Sequence, residues 1–324
     1  MIGLGLQGGG VQLSDVDRRV WLTGWSAETA VHVAVTPSKS VSSKPPISPT
    51  LPRVSPEQPS PTRATLRAWI TSSLFWSYMA GSSPLLWAGA LALRGATAPF
   101  DRERKLLHMY TSAWAYHYVK LLPLWKTHFS GVENIVPGRT YILVANHQSL
   151  GDILVLFGLF KHFKWVSKRE IFKVPFIGWN MRMNDYVGLT RGDASSIERM
   201  LDECRRHLRS GSSIMLFPEG TRSVDGQMKP FKHGAFTLAK ELSIEVVPIV
   251  VNGTRDALPK QGLLLRQPKP LQIHVRVLPP VSPDAAPTAR ALSELVHARM
   301  LDELTEMRGE RTKRSNGAPR AKET

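Results

Sequence analysis

From residue 141 onward the chain alternates short apolar runs with longer amphipathic ones. Tyr141–Ala145, Lys164–Ser167, Tyr186–Thr190, Ser213–Phe217, Val246–Val251 and Gln272–Leu278 read as strands: each is short, apolar and rich in β-branched or aromatic residues. Between them Ser149–Phe160, Ala194–Arg209 and Lys232–Leu242 read as helices, and Thr288–Met307 as a closing one. In Ala194–Arg209 the residues Ile197, Met200, Leu201, Cys204 and Leu208 share one face, which makes Cys204 a packing residue rather than a nucleophile. Strand–helix alternation predicts a single α/β domain, expected as a mixed central sheet flanked by helices.

Before that domain the pattern changes. Ala68–Leu93 carries no charge and is bounded by Arg67 and Arg94. Its length suffices to span a bilayer core, although Gly81-Ser82-Ser83-Pro84 at its middle is expected to break or bend a helix. Trp69, Trp76, Tyr78 and Trp87 suit the interfacial zone. One spanning helix and a helical hairpin lying in one leaflet both fit, and either predicts an N-terminal membrane-associating helical segment. Asp101–Lys126 is amphipathic, with Trp114, Tyr118, Leu121 and Leu122 among basic and histidine positions. Upstream, Thr36–Thr62 is dominated by Pro, Ser, Thr and Lys, too little apolar surface to offset the entropy of ordering. The expected organisation is a disordered leader over 1–65, the membrane-associating segment over 66–126, the α/β domain over 127–307 and a basic tail over 308–324.

Charge narrows the partners. Forty-two Lys and Arg stand against 26 Asp and Glu, a formal charge of +16, which favours nucleic acid, an anionic membrane face or phosphate-bearing molecules. No module interleaves aromatic and basic residues for nucleic-acid stacking. The single cysteine excludes an intrachain disulfide and a Cys-rich metal framework, so the reducing cytoplasmic side is the default.

Two constellations carry chemistry. His147 directly follows the strand Tyr141–Ala145, and Asp152 comes five residues later. On a regular helix that offset is about 140°, so the pair meets only if His147 lies in the strand-to-helix turn and Asp152 in the first helical turn. Ser149-Leu150-Gly151-Asp152 has the S-x-x-D form of a helix start. Asp152 can then cap the helix, or hold His147 as a general base with one ring nitrogen left to take a proton. The second constellation, Phe217-Pro218-Glu219-Gly220-Thr221-Arg222-Ser223, follows the strand Ser213–Phe217, where α/β domains bind ligands. Arg191 ends another strand, and Lys229 and Lys232 follow the loop. Together they form a candidate phosphate site.

These segments resemble the glycerophospholipid acyltransferase family, of the 1-acylglycerol-3-phosphate acyltransferase type. Its Asn-His-x4-Asp block is matched by Asn146, His147 and Asp152, its strand ending in arginine by Val187–Arg191, its third block throughout Phe217–Ser223, and its apolar proline-containing strand by Val246–Val251. Lys168–Trp179 is similar to the connecting region, and the resemblance runs over about residues 65 to 280. It implies acyl transfer from acyl-CoA or acyl-carrier protein to the hydroxyl of lysophosphatidic acid at a membrane, facing the cytoplasm. His147 would be the base and Asp152 its orienting acid. Arg191, Glu219, Gly220, Thr221 and Arg222 would position the glycerol phosphate, with Lys168 at the same anionic site. No metal or organic cofactor is expected, because a thioester is already activated. Within the family the acceptor could instead be another lysolipid such as lyso-ornithine lipid. Outside it stand a lipid-binding protein without activity and a membrane-tethered hydrolase using Ser149 or Ser223; the chain has no Gly-x-Ser-x-Gly elbow for the latter.

Overall fold

Alternate residues of the central strand point into two different apolar clusters, and that alternation sets the layers. The computed structural model describes residues 62–121, 125–223, 225–255, 257, 264–265 and 270–309. Of the expected leader over 1–65, residues 1–61 lie outside the described residues and 62–65 instead open the first helix; of the expected tail over 308–324, residues 310–324 lie outside them. Strand β2 (Ile142–Ala145) is buried throughout. Leu143 and Ala145 face one cluster, Ile142 and Val144 the other, as the two-residue period of a strand requires. A sheet covered on both faces follows.

Among the described residues the sheet has seven strands: β1 (Trp125–Ser130), β2, β3 (Phe163–Lys168), β4 (Val187–Leu189), β5 (Ser213–Leu216), β6 (Val246–Asn252) and β7 (Leu271–Val277). Their order is β1-β7-β6-β2-β5-β3-β4. Among these strands of the described residues β6 and β7 pair antiparallel and the other neighbours parallel, so the sheet is mixed, as expected. One face is covered by α1 (Thr62–Thr97), α2 (Lys105–Leu121) and α3 (Gly151–Leu156), through Phe75, Met79, Trp114, Tyr118 and Leu156. The other is covered by α5 (Ala194–Arg209), α6 (Gly234–Leu242) and α7 (Ala289–Met307), through Leu208, Phe236, Val296 and Met300. A short helix α4 (Ile177–Met183) sits between β3 and β4. Cys204 is buried in the second cluster, and burial pushes its thiol up to about 12, consistent with packing rather than nucleophilic chemistry.

The expected break at Gly81–Pro84 does not occur: α1 runs as one helix of 36 residues with Pro84 inside it. Proline in a helix interior removes a backbone bond, but here the neighbouring serines bond back into the loosened turn. Ser83 Oγ donates to the Met79 carbonyl at 2.6 Å, and Ser82 Oγ lies 2.8 Å from the Tyr118 hydroxyl of α2. Packing on α2 therefore overrides the local signal. A hairpin is excluded, and among the described residues no helix is long and apolar enough to cross a membrane, which corrects the spanning alternative as well. What α1 does present is apolar on two sides. Phe75, Met79 and Ala90 are buried against the domain, whereas Leu66, Ile70, Leu74, Tyr78 and Leu85 are exposed within one arc of about 120°.

Two elements were not legible in the pattern. The amphipathic run expected to reach Lys126 stops as α2 at Leu121, and Trp125–Ser130 forms β1. As an edge strand with alternating burial, β1 mimics the polar face of a helix over so short a run. Helix α4 is shorter than two turns of clear periodicity, too short to register.

Where Tyr110 crosses α1, its hydroxyl donates to the Leu86 carbonyl at 3.0 Å. A Cβ on Gly89 would lie 2.4 Å from that oxygen. Gly89→Val should therefore part α1 from α2 and lower unfolding stability by about 1–3 kcal/mol, measured by urea denaturation; an unchanged midpoint would show that the helix pair yields without cost.

Candidate active site

His147 leaves the C-terminal end of β2 and Phe217 leaves β5, its neighbour, where Val144 pairs with Leu216. The two motif-bearing loops are thus adjacent by strand order, at the edge where α/β sheets bind ligands. His147 Nδ1 lies 2.8 Å from Asp152 Oδ2. The sequence offset required His147 in the turn and Asp152 in the first turn of α3, and both are found there.

Asp152 has no exposed surface. The same Oδ2 accepts the N–H groups of Gln148 at 2.7 Å and Ser149 at 2.8 Å, and Oδ1 accepts the Thr254 hydroxyl. Of the two expected roles the orienting one is found: Asp152 holds the turn before α3 together with the His147 ring, whereas α3 takes no side-chain cap bond at its N-terminus. Because Asp152 holds Nδ1, Nε2 is the nitrogen left to accept a proton. The ring stacks face-on against Phe217 with centroids 3.9 Å apart, and Phe217 stacks on Trp165 at 5.5 Å. His147 is itself only 8% exposed.

The backbone of His147 is held from the other loop. Its N–H donates to Glu219 Oε1 at 2.7 Å, and its carbonyl accepts the Ser223 N–H at 2.9 Å. The second Glu219 oxygen accepts the Lys229 N–H at 3.0 Å. Glu219, expected to position the acceptor, is buried and braces the two loops. Burial pushes its carboxyl up to about 7, with the Asp152 charge adding to the rise and the two backbone N–H bonds opposing it. Gly220 has φ 71°, and a notional Cβ would meet only Lys232 Cγ at 3.9 Å, an ordinary contact, so its backbone conformation, rather than a close approach, calls for glycine.

On the other side Asn146 pairs with β6 through its side chain, donating to the Val251 carbonyl at 2.9 Å and accepting the Val251 N–H at 2.7 Å. Thr254 was missed by the sequence reading. It follows Asn252-Gly253, a turn dipeptide placed directly after a strand, and that signal was available. Gly253 has φ 94° and passes so close to β7 that a Cβ would lie 2.2 Å from the Gln272 carbonyl oxygen.

The expected phosphate residues lie on the same edge. Arg191 follows β4 and senses the charges of both Glu170 and Arg222; partial burial and the Arg222 charge lower its value, against the pull of Glu170. Lys168 ends β3, exposed, with its ammonium 3.3 Å from Glu170. Thr221 and Arg222 are half-buried in the loop between Gly220 and Ser223. Arg191 and Arg222 are thus close enough to feel one another, an arrangement that invites a shared anion; Lys168 stands beside them, paired with an acid.

An acyltransferase domain is the class this fold and site define. The family model Acyltransferase matches residues 126–252. The fold is shared with the crystal structure of the 1-acyl-sn-glycerophosphate acyltransferase PlsC of Thermotoga maritima, with a TM-score of 0.64 and 24% identity over 76% of this chain and 98% of that one. A 1-acyl-sn-glycerol-3-phosphate acyltransferase of Chlamydomonas reinhardtii is 35% identical over 68% of this chain and 67% of its own length. That of Saccharomyces cerevisiae is 32% identical over 63% and 68%. The chain belongs to the 1-acyl-sn-glycerol-3-phosphate acyltransferase family. A chloroplastic member from Brassica napus is 41% identical over 51% of this chain, and the match spans about half of that relative's length, 48%.

Thr254→Val keeps the shape and removes the hydroxyl from a buried carboxylate. It should lower stability by about 1–3 kcal/mol in chemical denaturation, and Thr254→Ser should restore most of it; equal stability of Thr254→Val and wild type would remove Thr254 from the network.

The raised value of Glu219 makes a pH prediction. The folded state holds this proton more tightly than the unfolded chain, so its contribution is complete below the ordinary value of 4.5 and is lost as pH rises through about 7. Relative to Glu219→Gln, the wild type should lose stability steadily from about pH 5 to 8. The slope of that difference is the readout; a flat one would mean Glu219 does not titrate in this range.

Proposed function

We propose that this chain transfers a fatty acyl group from an acyl thioester, on CoA or acyl-carrier protein, to the sn-2 hydroxyl of 1-acylglycerol-3-phosphate, forming phosphatidic acid. The observation that carries the reading is the 2.8 Å contact between His147 Nδ1 and Asp152 Oδ2, on the same edge of the sheet as Arg191 and Arg222. His147 Nε2 takes the proton of the acceptor hydroxyl as its oxygen attacks the thioester carbonyl carbon. Asp152 stabilises the imidazolium so formed. When the carbon–sulfur bond breaks, the imidazolium returns the proton to the departing thiolate. Arg191 and Arg222 hold the acceptor phosphate by charge-assisted bonds, with Lys168 as a third cation. The thioester supplies its own activation, so the step calls for no metal or organic cofactor.

Both substrates join an anionic head to an apolar chain, and the surface of the protein suits them. The exposed arc of Leu66, Ile70, Leu74, Tyr78 and Leu85 on α1 fits association with one leaflet, with the site on the cytoplasmic side. Purified protein given labelled acyl-CoA should acylate lysophosphatidic acid in preference to other lysolipids or water. His147→Ala should lose about 10²–10⁴-fold in kcat while still associating with lipid. Transfer at the wild-type rate by His147→Ala would remove it as the base; release of free fatty acid alone would mark a hydrolase, and preference for a lyso-aminolipid would reassign the acceptor.

A further inference from the structure

A second apolar surface lies away from the exposed face of α1, on the connection that leaves the C-terminal end of β3. In Lys173–Trp179 the residues Val174, Ile177 and Trp179 are exposed, at 42%, 37% and 38%, and Lys173 and Pro175 beside them are exposed as well. These are large apolar side chains on a protruding turn, where a monomeric soluble surface would carry polar ones. The turn is held in shape. Phe176, at φ 58°, packs edge-on against Trp179 with centroids 5.0 Å apart, and both rings meet Trp87 of α1, at 5.9 Å and 5.3 Å. At 100° per residue Trp87 lies on the flank of α1 bordering the exposed arc, on the same line as Trp69. Trp87 thus fixes the turn to the flank of α1, beside the exposed arc and not within it.

Charge selects the occupant. Lys168–Arg182 carries Lys168, Arg169, Lys173 and Arg182 against the single acid Glu170, and all five are exposed. An apolar tip with indole rings, ringed by cations, is complementary to the interface of an anionic bilayer. We propose that Lys173–Trp179 is a second lipid contact, which inserts its apolar tip among anionic headgroups and turns the C-terminal edge of the sheet, with His147, toward the bilayer. The inference rests on the membrane association proposed for α1. It adds what α1 alone does not supply: two separated contacts set the tilt of the domain, where one helix would leave it free to roll.

The lone native cysteine, Cys204, is 1% exposed, so a cysteine introduced at the surface takes an environment-sensitive fluorophore selectively. Three full-length proteins would be labelled, at Leu74→Cys on α1, at Val174→Cys on the turn, and at Arg209→Cys, exposed at the end of α5 on the opposite edge of the sheet. On phosphatidylcholine vesicles containing phosphatidylglycerol, the labels at 74 and 174 should shift to the blue and brighten severalfold, with 209 unchanged. Lys173→Glu should weaken the response at 174 more than that at 74. A response at 74 without one at 174 would overturn the second contact and leave the α1 reading standing. No response at either would overturn both. A response at 209 equal to that at 174 would show unoriented adsorption, and a label at 174 already blue without lipid, reverting on dilution, would assign the patch to a second copy of the chain; each overturns the proposal.

Discussion

A buried carboxylate is tolerated only when donors surround it, and the loops at the C-terminal edge of the sheet are arranged to supply Asp152 with donors. The imidazole of His147, the N–H groups of Gln148 and Ser149, and the hydroxyl of Thr254 all converge on it. These donors come from the turn after β2 and the turn after β6, two strands that pair along Ile142–Ala145. The anion thus organises its own loop, through bonds no apolar residue could make. Neutralising Asp152 would leave four donors competing for a weaker acceptor, so the conformation of the turn and the orientation of the histidine depend on the same charge.

Restraint of His147 then spreads outward. Its N–H and carbonyl are both taken by the loop after β5, and its ring rests on Phe217 of that loop. A side chain fixed by ring stacking, by an oriented nitrogen and by both backbone groups has little conformational entropy left to lose when a substrate arrives. Glu219 belongs to this framework. Its carboxyl occupies the space between loops where two backbone N–H groups would otherwise be buried without partners, and so it holds the backbone of His147.

The inner strands of the sheet were legible because strands buried on both faces are continuous apolar runs: Ser213–Leu216 and Val246–Asn252 depart from their expected bounds by one residue at most. Helix α5 was legible to its ends, since its apolar stripe is regular and Asp193 caps it by accepting bonds from Ser195 and Ser196. Pro84 misled because local propensity is a weak prior when α1 has a partner along its length. The His147–Asp152 contact was legible as a geometric requirement and as a resemblance. The role of Glu219 was not, because nothing in a motif distinguishes a carboxylate that meets a ligand from one that meets the N–H groups of its own chain. Thr254 escaped because it lies about a hundred residues from Asp152 and its side chain has no distinctive chemistry of its own.

A second buried polar network, at the opposite edge of the sheet, shows why perturbed ionisation does not by itself mark an active site. Lys164 in β3 is 1% exposed and donates to the carbonyls of Glu103 at 2.7 Å and Asn184 at 2.9 Å. Burial first, and then the Arg104 charge, bring its value down to about 8, and burial likewise brings His162 and His207 down to about 4. Glu103 Oε2 accepts the hydroxyls of Ser210 and Ser212, and Arg104 pairs with Asp185 at 3.3 Å. Through Glu103 and Arg104 these bonds join the α1–α2 connection to the beginning of β3, β4 and β5, and the Lys164–Asn184 bond ties β3 to the approach to β4, so the network fastens the helix pair to the sheet. The ammonium at its centre is directed into two carbonyls of its own chain, and such a group is a fastening whatever its ionisation. At the His147 edge the carboxylate is equally satisfied, but the network ends on an imidazole nitrogen that Asp152 does not hold. That ring nitrogen, and not the size of any shift, is what makes the His147 edge the one proposed to move a proton and leaves the other as an edge that holds the fold together.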